Sequence, residues 1–388
     1  MKIAFLSPSL SRIAGGIFEV ERDLALALGA LPDTEVSAYG VADRETDNDR
    51  AAWRQIPLHV GALKGPMGFG YSPEMRDAFA ANDADVAHLQ VMWMYTSIVA
   101  RDWGRRTGKP YVTTAHGMLD PWARQNSGVK KQFAALVYER SALRQAGCLH
   151  VMTPAELDSA REWGVKGPFC LVTNGVRLPA KTALADAPPA VRAIKAAGEK
   201  FLFFIGRLHP KKNLVKTLEA FIRIAPAHPE WHFVIAGWGV EAYGAQLQAM
   251  ARDAGLAARV HFTGPLYADA KAAALAAADA FVLASLSEGV PMSVLEAFAN
   301  RVPVAMTRAC NLPAGFDAGA AIAIGPETAD IAAGLSDLFA MPETERSAMG
   351  SRGRALVEDG FTWDKVALQM RAVYGWLLGG ERPDWVIL

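Results

Sequence analysis

The chain has 388 residues, 51% apolar and 21% charged, with 34 Gly and 22 Pro, a composition that excludes disordered and collagen-like chains and leaves room for more than one domain. Its 40 Lys and Arg balance its 40 Asp and Glu, so no global field draws in nucleic acid or an acidic membrane, and a partner of that kind would have to meet a local patch. No apolar run approaches the ~18 residues needed to cross a bilayer. The opening MKIAFLSPSL is too short in apolar residues for a secretory leader, so the expected location is the cytoplasm. Cys148, Cys170 and Cys310 lie far apart inside apolar segments, which predicts reduced core thiols and neither a disulfide frame nor a zinc site.

Short apolar runs alternate with segments of helical period, the pattern of a parallel sheet covered by helices on both faces. Buried strands are predicted at KIAFLSPS (2–9), EVSAYGV (35–41), DVAHLQV (85–91), YVTTAHG (111–117), CLHVMT (148–153) and FCLVTN (169–174). Between the first two, Ile17, Val20, Leu24, Leu28 and Leu31 recur at three- and four-residue steps, which predicts a helix beginning at Gly15-Gly16. Residues 178–199 then carry three Pro and no strand-like run, the composition of a linker leading into a helix. A second series follows at KFLFFIGRL (200–208), HFVIAGWG (232–239), VHFTGPL (260–266), AFVLASL (280–286), VPVAMT (302–307) and AAIAIG (320–325). The closing segment, 361–378, reads as a further helix with Trp363, Val366, Met370, Val373 and Leu377 on one face.

In open parallel sheets, ligands bind beyond the carboxyl ends of the strands, and polar residues gather there. Arg207 follows a strand in FIGRLHPKKNL (204–214), and Lys212 lies at the start of the next helix. A guanidinium, an ammonium and backbone N–H groups at a helix start together suit a diphosphate, although two solvated charges would look the same in isolation. In LASLSEGVPMSVLEAFANRVPVAMT (283–307), Glu288 falls in the strand-to-helix loop and Glu296 in the second helical turn, with Pro291 between them. A dinucleotide site is disfavoured, because SPSLSRIAGGIF and IGRLHPKKNL both lack the G-x-G-x-x-G spacing.

Taken together, GRLHPKKNL and SEGVPMSVLEAFANRVPVAMT resemble the signature of the retaining glycosyltransferases of family 4, the glycosyl transferase group 1. SRIAGGIFEVERDLALAL, TTAHGMLDPWA, TNGV and FTWDKVALQMRAVYGWLL extend the likeness over nearly the whole chain. The resemblance implies an α/β fold of GT-B type, two Rossmann-like doubly wound parallel-sheet domains facing a cleft. The expected organisation is an acceptor-side domain over 1–178, a linker over 179–199 and a nucleotide-sugar-binding domain over 200–360. The closing helix, 361–388, has no fixed place in the sequence, a crossing back to the first domain being one option. Such an arrangement implies hinge closure when the donor binds.

The same resemblance implies roles for individual residues. Arg207 and Lys212 would hold the donor diphosphate, and Glu296 would accept hydrogen bonds from the ribose hydroxyls. Glu288 would face the donor sugar beside the backbone of Gly289 and Val290. Gly16 would let the main chain approach the phosphates or sugar, and His116 would lie near the sugar. The base would rest near Gly237 and the turn Gly264-Pro265-Leu266, with Gly206 and Leu295 completing the donor set. Glu288, Arg207, Lys212 and His116 form the implied catalytic group, and Met118, Asp120 and Trp122 the implied acceptor loop. One departure is Asn213, where family members often carry Gly directly after the clamp Lys.

The implied reaction moves a hexosyl unit from a UDP- or GDP-linked sugar to a hydroxyl of a glycan or lipid-linked acceptor, with retention and without a metal or other cofactor, in bacterial exopolysaccharide or lipopolysaccharide synthesis. A sugar-nucleotide epimerase or hydrolase, or a non-catalytic carbohydrate-binding scaffold, remains open on the residues alone. Residues 101–144 hold nine Lys or Arg against three acids, a local excess suited to an anionic membrane. Arg140 and Arg144 fall on the helical side of Phe133 and Val137, which buried Arg stems beside a core helix explain as well as membrane contact does.

Overall fold

Each apolar run of the first series becomes a strand, and all but the second stop before the end of the predicted run. They are β1 (Lys2–Leu6), β2 (Glu35–Val41), β4 (Val86–Leu89), β5 (Tyr111–Thr114), β6 (Cys148–Val151) and β7 (Phe169–Leu171). Two further strands lie outside the predicted series, β3 (Leu58–Gly61) and the two-residue β14 (Val386–Ile387). The computed structural model describes residues 1–120, 134–180 and 182–388, which divide into one unit of Met1–Gly175 with Trp363–Leu388 and another of Val176–Thr362.

The first unit holds an eight-stranded sheet in the order β14-β7-β6-β5-β4-β1-β2-β3. Its pairs are parallel except for β14, which runs antiparallel to β7. The chain steps outward from β1 to β2 and β3, then returns to β4 on the other side. The order therefore reverses between β1 and β4, where loops leave a crevice. Helix Trp363–Leu377 packs on helix Gly16–Gly29, burying Trp363, Val366, Met370, Val373 and Tyr374.

A buried polar chain crosses this sheet and fixes that last helix. The carbonyl of Val172 can only accept, so Nε2–H of His150 donates to it at 2.7 Å. His150 Nδ1 then accepts from the hydroxyl of Thr114 at 3.0 Å, Thr114 accepts from Nε2–H of His88 at 2.6 Å, and His88 Nδ1 accepts from the hydroxyl of Tyr374 at 2.6 Å. Every donor has one acceptor, which is the condition for a buried polar network to stabilise. Burial keeps both rings neutral, pushing His150 down to about 4 and His88 well below the usual value.

The second unit holds β8 (Lys200–Ile205), β9 (Trp231–Ala236), β10 (Val260–Gly264), β11 (Ala280–Leu283), β12 (Val304–Thr307) and β13 (Ala321–Ile324). All run parallel in the order β10-β9-β8-β11-β12-β13. Phe201, Leu202, Phe203 and Phe204 are all buried, as a strand covered on both faces requires. Here the order reverses between β8 and β11. Residues 179–199, expected as a linker, lie within this unit: helix Pro189–Ala196 buries Val191 and Ile194 in its core. Their three-residue spacing supplies the apolar face that anchors the stretch.

All three cysteines are buried free thiols. Among the described residues, no helix is long and apolar enough to cross a membrane.

Candidate functional site

The reversal between β8 and β11 places two loops side by side. After β8, a 3₁₀ turn over Pro210–Lys212 is capped by the ring of His209, whose Nδ1 accepts from the Lys211 N–H at 3.1 Å. Helix Leu214–Ile224 begins only after Asn213. Lys212, expected at the start of the next helix, lies in this turn, and Asn213 takes a left-handed φ of 58° at the junction. Asn tolerates that region because its short side chain bonds locally, and here Nδ2 donates to the carbonyl of Pro326 at 2.7 Å. The family's Gly at this position and the Asn of this chain thus answer the same backbone demand.

After β11, the loop 284–291 carries Glu288. Its N–H donates to Ala309 O at 3.0 Å and its carbonyl accepts from Asn311 Nδ2 at 2.5 Å. The carboxylate is thereby aimed at the first loop, where Oε1 lies 2.5 Å from Lys212 Nζ and accepts from the hydroxyl of Ser285. Leu286 N–H donates to Lys211 O at 2.9 Å and ties the two loops together. Glu296, in helix Met292–Ala299, pairs through Oε1 with Lys271 Nζ at 2.5 Å. Arg207 stands outside these pairs, exposed and with no carboxylate partner among the described residues.

The remaining implied donor residues divide by what their backbone or side chain can offer. A Cβ on Gly237 would sit 1.8 Å from Gly206 O, so Gly237 lets two main chains touch. Gly289 and Val290 lie partly buried in the Glu288 loop, and Leu266 is partly buried after β10. Leu295 is different: its side chain is fully buried in the core of the second unit, which leaves only its main chain for a ligand. The sequence reading passed over Lys271, Ser285 and Asn311. Lys271 sits on an Ala-rich helix with no motif around it, whereas Ser285 stands three residues before Glu288 and could have been flagged as its hydroxyl partner.

In the first unit, the loop after β1 is braced before it reaches Gly16. The hydroxyls of Ser9 and Ser11 donate to Asp43, and Arg12 pairs with Asp49 through side chain and N–H. Burial alone would raise the Asp43 carboxyl, but the hydroxyls of Ser9 and Ser11 and the N–H of Glu45 outweigh it and hold it below the ordinary value. Gly15 takes φ 62°, and a Cβ at Gly15 or Gly16 would meet nothing within 4 Å. The space beside Gly16 is therefore open, as close approach of a ligand to the main chain demands.

His116 follows β5 at φ 44°, a costly conformation for a non-glycine residue. Its Nε2 faces Gln90 Oε1 at 3.2 Å, which puts the hydrogen on Nε2 and the lone pair on Nδ1. Burial, reinforced by His150, pushes its pKa down to about 3, so the ring is a neutral hydrogen-bonding group. Behind Gly117, Glu156 accepts from the Met152 N–H at 2.9 Å, and burial lifts its carboxyl to about 7. Met118 and Asp120 are partly buried beside His116 in sequence, and Trp122 lies outside the described residues. Among the described residues, no group of three His, Cys, Asp or Glu is placed to hold a metal ion.

Residues 15–175 match the glycosyl transferase 4-like domain, and residues 191–356 match the glycosyl transferases group 1. The chain belongs to the group 1 glycosyltransferases of family 4. This glycosyltransferase is 26% identical, over 75% of its length and 87% of the relative's, to a GDP-mannose-dependent monoacylated alpha-(1-6)-phosphatidylinositol monomannoside mannosyltransferase of Corynebacterium glutamicum. It is 27% identical to the lipopolysaccharide core biosynthesis mannosyltransferase LpsB of Rhizobium meliloti, over 45% of this chain and 51% of that one. Among solved structures, Anabaena Alr3699/HepE in complex with UDP and glucose aligns with a TM-score of 0.76 at 19% identity, covering 97% of this chain and 100% of the other. Sucrose-phosphate synthase of Thermosynechococcus elongatus aligns with a TM-score of 0.74 at 21% identity, covering 98% and 100%. The glycosyltransferase has the GT-B fold, with two parallel-sheet α/β domains.

Proposed function

We propose that this glycosyltransferase moves a hexosyl unit from a UDP- or GDP-linked sugar to a hydroxyl of a glycan or lipid-linked glycan acceptor, with retention of configuration and without a metal. The observation that carries the reading is the Lys212–Glu288 pair at the reversal point of the second unit. A diphosphate carries more charge than one carboxylate, so it displaces Glu288 from Lys212 and leaves Glu288 to accept from the donor sugar's hydroxyls. Arg207 adds a planar fork suited to phosphate oxygens. Glu296 takes the ribose hydroxyls, with Lys271 holding its carboxylate.

In the reaction, the bond between C1 and the β-phosphate oxygen breaks, and the acceptor oxygen bonds to C1 on the same face. The acceptor's proton passes to the departing phosphate. Charge growing on that phosphate is met by Lys212 and Arg207, whose fixed positive charge does the work a metal would otherwise do. His116, neutral with its Nδ1 lone pair, accepts from a donor hydroxyl, and the loop carrying Met118, Asp120 and Trp122 receives the acceptor.

Relatives named for GDP-mannose-dependent and lipopolysaccharide mannosyl transfer, and a structural neighbour in complex with UDP-glucose, support a nucleotide-sugar donor and a bacterial surface-glycan acceptor. The reading places the protein in the cytoplasm, touching an anionic membrane surface. Thermal shift with UDP-glucose, UDP-galactose, UDP-N-acetylglucosamine and GDP-mannose tests it. One nucleotide series should stabilise the protein, and stabilisation by none of the four counts against the donor class.

A further inference from the structure

The segment after β8 continues alongside the segment after β9 with unusually close main chains. Gly206 N–H donates to Ala236 O at 3.1 Å and Leu208 N–H to Trp238 O at 2.7 Å, and Leu208 bridges in parallel to Gly239. Both glycines around Trp238 are required for this approach. A Cβ on Gly237 would lie 1.8 Å from Gly206 O, and one on Gly239 would lie 2.2 Å from Leu208 O. The zipped segments bring Arg207 and Trp238 together, with the guanidinium carbon 5.6 Å from the centre of the indole.

Trp238 is 54% exposed, so its ring is accessible to a neighbouring side chain. Arg207, the exposed half of the diphosphate clamp, has that ring as its described contact. A guanidinium over an indole face is attracted by the ring quadrupole and keeps its N–H edge free, since the interaction uses the plane of the group and not its donors. We propose that Trp238 is a positioning residue for the diphosphate clamp: its indole face holds the Arg207 guanidinium with the N–H edge presented to the donor's phosphates. The inference rests on the nucleotide-sugar reading given above.

The structure thus assigns a task to each part of Gly-Trp-Gly. The glycines let the main chains close, and the tryptophan sets the side chain of a cation on the loop after the preceding strand. Preorganisation of this kind lowers the ordering cost of Arg207 when a phosphate arrives. It acts on ligands that carry phosphates and leaves a bare nucleoside unaffected.

The test compares wild type, Trp238→Ala, Trp238→Phe, Arg207→Ala and the double variant Arg207→Ala/Trp238→Ala, each confirmed folded by circular dichroism and melting temperature. Affinities for UDP, GDP, uridine and guanosine are measured by titration calorimetry. Trp238→Ala should weaken the bound nucleoside diphosphate about fivefold, leave the matching nucleoside unchanged and be largely restored in Trp238→Phe. In the Arg207→Ala background, the same substitution should have no further effect. Equal diphosphate affinity for wild type and Trp238→Ala, or additive losses in the double variant, overturns the inference while leaving the donor reading intact. Failure of the wild type to bind either diphosphate overturns both.

Discussion

Lys212 Nζ lies 2.5 Å from Glu288 Oε1, joining the loop after β8 to the loop after β11 where the strand order of the second unit reverses. The Ser285 hydroxyl donates to the same carboxylate oxygen, and Asn311 and Ala309 hold the Glu288 main chain. Both partners are mostly buried, with side-chain exposures of 21% and 12%. A cation held this way is in place before the leaving phosphate develops its charge. Replacing Lys212 by Ala should therefore lower turnover roughly 10²-fold or more, the scale for losing a preorganised charge-stabilising donor. Steady-state kinetics with the identified donor check this, and activity within a factor of a few of wild type contradicts the role.

Asn213 provides a test of backbone geometry separate from charge. At φ 58° a β-branched residue is strained, whereas Gly is not. Asn213→Gly should fold and turn over much like wild type, losing the bond to Pro326. Asn213→Val should destabilise the second unit by about 1–3 kcal/mol. Urea denaturation distinguishes the two, and equal midpoints for Gly and Val would contradict the left-handed assignment.

These two positions also show how much was legible beforehand. The apolar runs located twelve of the strands because a covered parallel strand is continuously hydrophobic, yet most of the predictions ran on into the loop that follows, β2 and β12 being the exceptions. Tails such as 7–9, 115–117 and 206–208 are short and polar, and hydrogen bonding shows that the strand ends before them. Arg207, Lys212, Glu288 and Glu296 stood out by residue type and position after a strand, and their roles came from the family resemblance. The Lys271–Glu296 and Arg207–Trp238 contacts were not readable, since each joins segments that meet only through sheet order. Leu295, placed in the implied donor set, has its side chain directed into the core by the helical turn, which spacing alone does not show.

Glu21 makes stability depend on pH. It is fully buried on helix Gly16–Gly29, and burial lifts its carboxyl to about 8, opposed only by the Ser7 hydroxyl. Because the folded value lies above the unfolded one, its contribution is fully present below about pH 4.5 and is lost as pH rises through 8. His116 and His150, lowered to about 3 and about 4, act in the opposite sense, losing stability as pH falls below about 6.5. Between pH 6.5 and 8 the histidines are silent. Glu139 and Glu156, lifted by burial to about 7, contribute to the same alkaline decline. Glu21→Gln should flatten the fall in unfolding free energy over that window by about 2 kcal/mol, read from urea denaturation at each pH. A wild-type slope retained in the variant contradicts a protonated Glu21.

The π-helical turn Ala135–Glu139 presents Leu136 and Val137 to solvent at 75% and 56% exposure, on the same outward side as exposed Arg140 and Arg144. Val137 is thus not a core residue beside buried Arg stems, the alternative that the sequence left open. Arg124, Lys130, Lys131 and Phe133 of the same basic stretch lie outside the described residues. The basic groups suit anionic headgroups, although a membrane-surface helix ordinarily separates its basic and apolar faces. Co-sedimentation should show binding to anionic liposomes at low salt, weaker binding at high salt and loss in Leu136→Ser/Val137→Ser. Equal recovery in the supernatant with anionic and neutral liposomes contradicts membrane contact.

On the proposed function, the loops after β8 and β11 bind the diphosphate of a nucleotide sugar. Titration calorimetry of UDP and GDP into wild type and into Arg207→Ala/Lys212→Ala measures this most directly. Saturable binding of one diphosphate by the wild type, reduced at least tenfold in the double variant while its melting temperature is retained, is the predicted result. Binding of neither by the wild type, or equal affinity in both proteins, would contradict it.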